Sequence, residues 1–129
     1  MSGKRERALE VSRQMSGPAE ASDVSRFQSH FAKEMSDILM SQCMEGLWAR
    51  DGLDLRTRSL INVALLISQR DHVPLAFHAP AAVRNGATVA ELEEVIYHTS
   101  GYCGFPAAVT AREVITESLV KAGMIEPAA

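Results

Sequence analysis

Asp54–Arg70 reads DLRTRSLINVALLISQR, and the way its apolar residues repeat decides the fold. Leu60, Ile61, Val63, Ala64, Leu65, Leu66 and Ile67 run nearly all the way round a helix and leave no strand-like alternation. Asp54 stands where an N-cap is needed, so the spacing predicts a helix from Leu55 to about Arg70, buried at the centre of a helical core. Working outward, a second helix begins near Asp71 or His72 with Pro74 in its first turn, and Arg84-Asn85-Gly86 closes it with glycine past the end. Thr88 and Glu91 form a capping box for a third helix carrying Leu92, Val95, Ile96, Thr99 and Cys103 along one face. Pro106 opens a fourth that runs to about Ala122, before Gly123. Upstream, Phe27–Ala49 carries Phe31, Met35, Ile38, Leu39, Met40, Cys43, Met44, Leu47 and Trp48 and reads as one long amphipathic helix. The first 25 residues read as a short helix plus an arm. The expectation is an all-α protein of about six helices, with residues 1–129 as a single domain.

Composition narrows the function classes. The chain has 129 residues, 47% apolar and 22% charged, enough for one domain with its own core. A net charge of −3 with no Lys/Arg cluster argues against a nucleic-acid groove, which needs concentrated positive charge. The longest apolar run, VALLI in LINVALLIS, is far too short to span a bilayer, so neither nucleic acid nor membrane is an expected partner and a soluble cytoplasmic protein is expected. Two cysteines, Cys43 and Cys103, do not make a secreted disulfide framework. Four histidines are present, yet His72 and His78 are six apart and no HxxxH or HExxH pair exists, so no metal is expected. No strand carries a glycine-rich phosphate loop, so no cofactor is expected either.

Three stretches in order, LWARDGLDLRTRSLINVALLI (47–67), FHAPAAVRNGATVAELEEV (77–95) and YCGFPAA (102–108), resemble the carboxymuconolactone decarboxylase family. The likeness extends weakly into RALEVSRQMSG (7–17). The resemblance implies the all-helical AhpD-like fold, assembly into a homo-oligomer that is usually a hexamer, and cofactor-independent decarboxylation of a small cyclic acid, a lactone or one derived from an aromatic compound. It also implies site residues. His78 stands in the family's histidine position and is the candidate acid/base; Glu45 is the nearest match to the family's acid, one place early, with Gly46 at the position itself. Arg50 or Arg84 is the candidate carboxylate anchor, Trp48 and Tyr102 are candidate pocket walls, and His98 is interfacial or supporting, a substrate-binding candidate if the pocket opens between subunits. Pro80 replaces an arginine two residues after the histidine and predicts a kink beside His78.

Two other readings stand beside this one. Peroxide-handling AhpD-like relatives need a Cys-x-x-Cys pair, and alignment on His78 places Asp71 and Pro74 at those positions, with Ser59 at or near a glutamate of the same branch. That disfavours a redox protein. The third reading is a non-catalytic ligand-binding or assembly protein, in which the missing arginine and displaced acid mark a lost activity. Each candidate residue has a plainer role as well: His78 as a core histidine, the arginines as solvated or subunit-bridging groups, Cys103 as a small apolar side chain.

Overall fold

A computed structural model describes residues 3–18 and 30–128. Among them lie six α-helices and no strand: α1 (Gly3–Ser16), α2 (Met35–Ile38), α3 (Leu55–Gln69), α4 (His72–Arg84), α5 (Val89–Cys103) and α6 (Phe105–Lys121). α2 continues directly into a π-helix over Leu39–Trp48. The chain divides into two compact units, residues 1–54 and 55–129.

In residues 55–129 the four helices begin and end within a residue or two of where their caps place them. Thr88 accepts from the Glu91 amide at 3.0 Å while Glu91 accepts from the Thr88 amide at 2.9 Å, so the capping box satisfies two donors at the start of α5. α4 ends in a Schellman motif: Gly86, at φ 107°, donates to Val83 and Ala87 donates to Ala82. α6 ends the same way around Gly123 at φ 73°. α3 repeats the motif without glycine, since Arg70 takes the left-handed position at φ 55° while its amide donates to Ile67 and that of Asp71 to Leu66. A side chain there costs roughly 1 kcal/mol, part of which glycine gives back through its looser unfolded chain. Arg70→Gly is therefore expected to stabilise the protein by about 0.5 kcal/mol, read as a higher midpoint in urea; a lower midpoint counts against the strain.

The core of this unit is Val63 and Ile67 from α3, Leu75, Ala79 and Ala82 from α4, Leu92 from α5, and Ala111, Ile115 and Leu119 from α6. α3 is not buried all round, as its composition suggests. Ile61 and Leu65 remain 44% and 49% exposed, because α4, α5 and α6 cover only the side that bears Ser59, Val63 and Ile67. Pro80 does not interrupt α4, which runs unbroken from His72 to Arg84 with Pro80 buried. The ring still removes the donor that the Ala76 carbonyl would otherwise receive.

In residues 1–54, α1 packs on the π-helix, and Ala8, Val11, Met15, Met44 and Trp48 are buried. The long α-helix read from Phe27 to Ala49 takes a different form. Residues 19–29, on which the expected arm and the start of that helix fall, lie outside the described residues. Residues 30–34 form bends and turns, and helix begins only at Met35. From Leu39 the hydrogen bonds slip by one residue, as in the 2.9 Å bond from the Ala49 amide to the Met44 carbonyl. Two sequence features favour the wider turn: Ser41 Oγ donates to the Ile38 carbonyl at 3.3 Å and competes with the α-ladder, and Gly46 has no side chain to resist it. Of the three methionines on this segment, Met35 is exposed, Met40 half-buried and Met44 buried.

Candidate functional site

His78 sits in the middle of α4, whose buried side carries Leu75, Ala79, Ala82 and Asn85. Residues 78, 82 and 85 follow helical spacing, so the imidazole borders the core side of its helix. Its ring meets Phe77 edge-on at 5.1 Å, and its Nδ1 is a buried atom. Removal from water pushes the imidazole from its ordinary value of 6.5 down to about 4. At pH 7 about one ring in a thousand would be protonated, so His78 is a neutral imidazole with one N–H to donate and one lone pair to accept. Burial thus moves His78 away from the near-neutral titration that general acid–base chemistry favours.

Two turns along the same side, the Asn85 side-chain amide donates to Ser59 Oγ at 2.9 Å, and both residues are buried. This polar pair joins the C-terminal end of α4 to the first turns of α3. Sequence alone does not reveal it, since Asn85 reads only as part of a helix end. The available signal is a serine on the buried stripe of an otherwise apolar helix, which demands a partner. Arg84, beside it, is half-buried, and desolvation lowers its guanidinium below the ordinary arginine value.

α5 carries two further candidates. The rings of His98 and Tyr102 lie 5.1 Å apart, tilted by 31°, and both side chains are exposed. Their spacing of four places them on one stripe with Glu94. An open groove of about 530 Å³ between α3 and α5 has Leu60, Ala64 and Val95 as its apolar walls and Glu94, His98 and Thr99 as its polar ones. Tyr102 and His78 are not among its lining residues. Glu91, also on this groove, is held by Arg56 in an ion pair.

The remaining candidates lie in residues 1–54. Glu45 forms an ion pair with Arg5 of α1. Glu45 lies within the π-helix, one place before Gly46, which stands at the position of the family's acid. Trp48 is buried at the last turn of that helix. Arg50 is exposed and lines an open pocket with Lys4 and Arg7, a local gathering of basic side chains in a chain expected to hold no Lys/Arg cluster. Within residues 55–129 the candidates occupy two local settings, His78 with the Ser59–Asn85 pair and His98 on the α3/α5 groove; within residues 1–54 Arg50 lies beside α1.

Cys43 and Cys103 are both free. Among the described residues no three His, Cys, Asp or Glu side chains gather as metal ligands would, and no helix is long and apolar enough to cross a membrane.

Comparison with known proteins gives these observations a family. Residues 36–117 match the carboxymuconolactone decarboxylase family. The chain is 27% identical over 112 residues to a nitrosuccinic acid decarboxylase, npaB, of Metarhizium robertsii, covering 87% of this chain and 78% of that protein. It is 33% identical over 87 residues to the 4-carboxymuconolactone decarboxylase of Acinetobacter baylyi, covering 67% of this chain and 65% of that one. The matched segment contains the π-helix, α3, α4 with His78, α5 and most of α6, and the chain belongs to the carboxymuconolactone decarboxylase family.

Proposed function

We propose that the protein is a decarboxylase that acts on a small carboxylic acid, cyclic or lactone-like, without metal or organic cofactor, and that neutral His78 is its central polar group. The observation that carries this reading is the His78 imidazole on α4, its Nδ1 shut off from solvent, within the segment shared with the family. Both relatives are named as decarboxylases, one for a carboxymuconolactone and one for nitrosuccinic acid. Cleaving a C–CO2 bond leaves an electron pair on carbon, which a neighbouring electron-withdrawing group must take up as oxyanion character before the carbon is protonated. A neutral imidazole N–H aimed at that oxygen stabilises the charge as it develops. The apolar surroundings that depress its pKa also strip water from a carboxylate and favour its loss as neutral CO2. The proposed roles of the other residues are Arg84 or Arg50 as carboxylate anchor, Glu45 as a second acid/base once released from Arg5, and Trp48, His98 and Tyr102 as walls. Carbon dioxide release from a panel of lactone and nitro-substituted dicarboxylic acids, measured with wild type and His78 variants, tests the reading; no release from any of them favours a ligand-binding role.

The proposal includes self-association, with a hexamer as the family resemblance implies. Ile61 and Leu65 on α3, with Tyr97 on α5 and Val73 on α4, leave apolar surface exposed on residues 55–129, which a second copy would bury. Sedimentation velocity is expected to show a closed oligomer that persists on dilution. A monomer at every concentration sinks this part of the reading.

A further inference from the structure

The pocket beside α1 lies within residues 1–54 and has a volume of about 460 Å³, in the range of small-ligand sites. Its walls come from two parts of the chain, the first turns of α1 and the turn that follows the π-helix. Lys4 and Arg7 contribute from one wall and Arg50 from the other, against a single lining acid, Asp51. The backbone adds to this charge. Gly3 can line the pocket only with main-chain atoms, and the first amides of a helix have no partner within it.

The two walls are fixed relative to each other. Arg5, between Lys4 and Arg7 in sequence, pairs with Glu45 and ties α1 to the π-helix. The turn leading to Arg50 is held by the Ala49 amide on Met44 and by the Arg50 amide on Leu47, at 2.9 and 3.1 Å. The Arg5–Glu45 pair neutralises itself, so neither partner alters the balance of three lining cations against one lining acid. Lys4 and Arg7 precede the family segment, which begins at residue 36, so the family match does not account for this cluster.

We propose that this pocket binds a small, multiply charged oxyanion through Lys4, Arg7 and Arg50. Two sources share that chemistry, a dicarboxylate and a phosphate group. Both place two negative charges within reach of separated cations, and both accept from guanidinium forks and main-chain amides. The inference holds whether or not His78 acts in decarboxylation, since it uses none of the same groups except the candidate anchor Arg50.

Calorimetric titration of the full chain at low ionic strength, with succinate and separately with inorganic phosphate, tests it. Saturable uptake is expected for at least one probe, and the tighter of the two identifies the source. Lys4→Gln/Arg7→Gln is expected to weaken uptake by roughly tenfold to a hundredfold, as loss of charge-assisted contacts should. Arg50→Gln, on the other wall, is expected to act in the same direction, so a fold defect in α1 cannot carry the result. Far-UV circular dichroism identifies any variant that has lost helix, and the comparison then rests on the other. No saturable uptake of either probe up to on the order of 10 mM, or uptake unchanged in folded variants, overturns the site.

Discussion

Replacing His78 by leucine should lower decarboxylation turnover by roughly 10²–10³-fold, the usual cost of deleting one donor to a developing oxyanion. Helix content should stay near wild type, because leucine suits a half-buried position bordered by Phe77 and the α4 core residues. Glutamine separates two mechanisms. It keeps an N–H donor but cannot titrate, so a donor role predicts that His78→Gln recovers much of the loss, while a proton shuttle predicts a fall as deep as leucine's, up to about 10⁴-fold. The neutral state of His78 favours recovery. The pH profile supplies a second reading. If the neutral ring is the active form, kcat/KM is level through neutrality and drops as pH falls through about 4. If imidazolium were required, the rate would already be falling steadily as pH rises above that value. A leucine variant with normal turnover would place His78 in the scaffold.

Much of the helical framework is local chemistry and was therefore legible. The Thr88/Glu91 box, Gly86 and Gly123 each act within one turn: α5 begins directly after Thr88, and α4 and α6 each end two residues before their glycine. What was not legible depends on partners distant in sequence. The exposure of Ile61 and Leu65 follows from which side of α3 the other helices cover, and an apolar run carries no record of that. The π-helix arises from a slip in backbone pairing that leaves the apolar pattern of Leu39–Trp48 almost unchanged. Glu45 illustrates the consequence, since the sequence shows only that it stands one place before the position of the family's acid, whereas its setting follows from the pairing register of the π-helix and from Arg5. His78 was found by its motif, but its charge state depends on burial, which the motif does not encode.

The same burial makes His78 an acid-sensitive element of the fold. Its folded pKa of about 4 lies below its value of 6.5 in the unfolded chain, so between those values the unfolded state binds more protons. Stability is therefore complete above pH 6.5 and is lost as pH falls towards 4. At 1.36 kcal/mol per unit, that depression is worth roughly 3 kcal/mol, a substantial part of the 5–15 kcal/mol that holds a typical domain together. His78→Gln removes the titrating group while keeping polarity and approximate size. Urea unfolding of both proteins at pH 7, 5.5 and 4.5 is expected to show the wild type losing roughly 2–3 kcal/mol more than the variant across that span. The ion pairs Arg5–Glu45 and Arg56–Glu91 are common to both proteins, so their own acid weakening cancels in the difference. Signals should be read from far-UV circular dichroism and from tyrosine, since Tyr97 and Tyr102 lie on α5 whereas the single tryptophan, Trp48, belongs to residues 1–54. Parallel pH dependence in the two proteins would mean that the imidazole titrates near its ordinary value and that the fold does not hold it out of water.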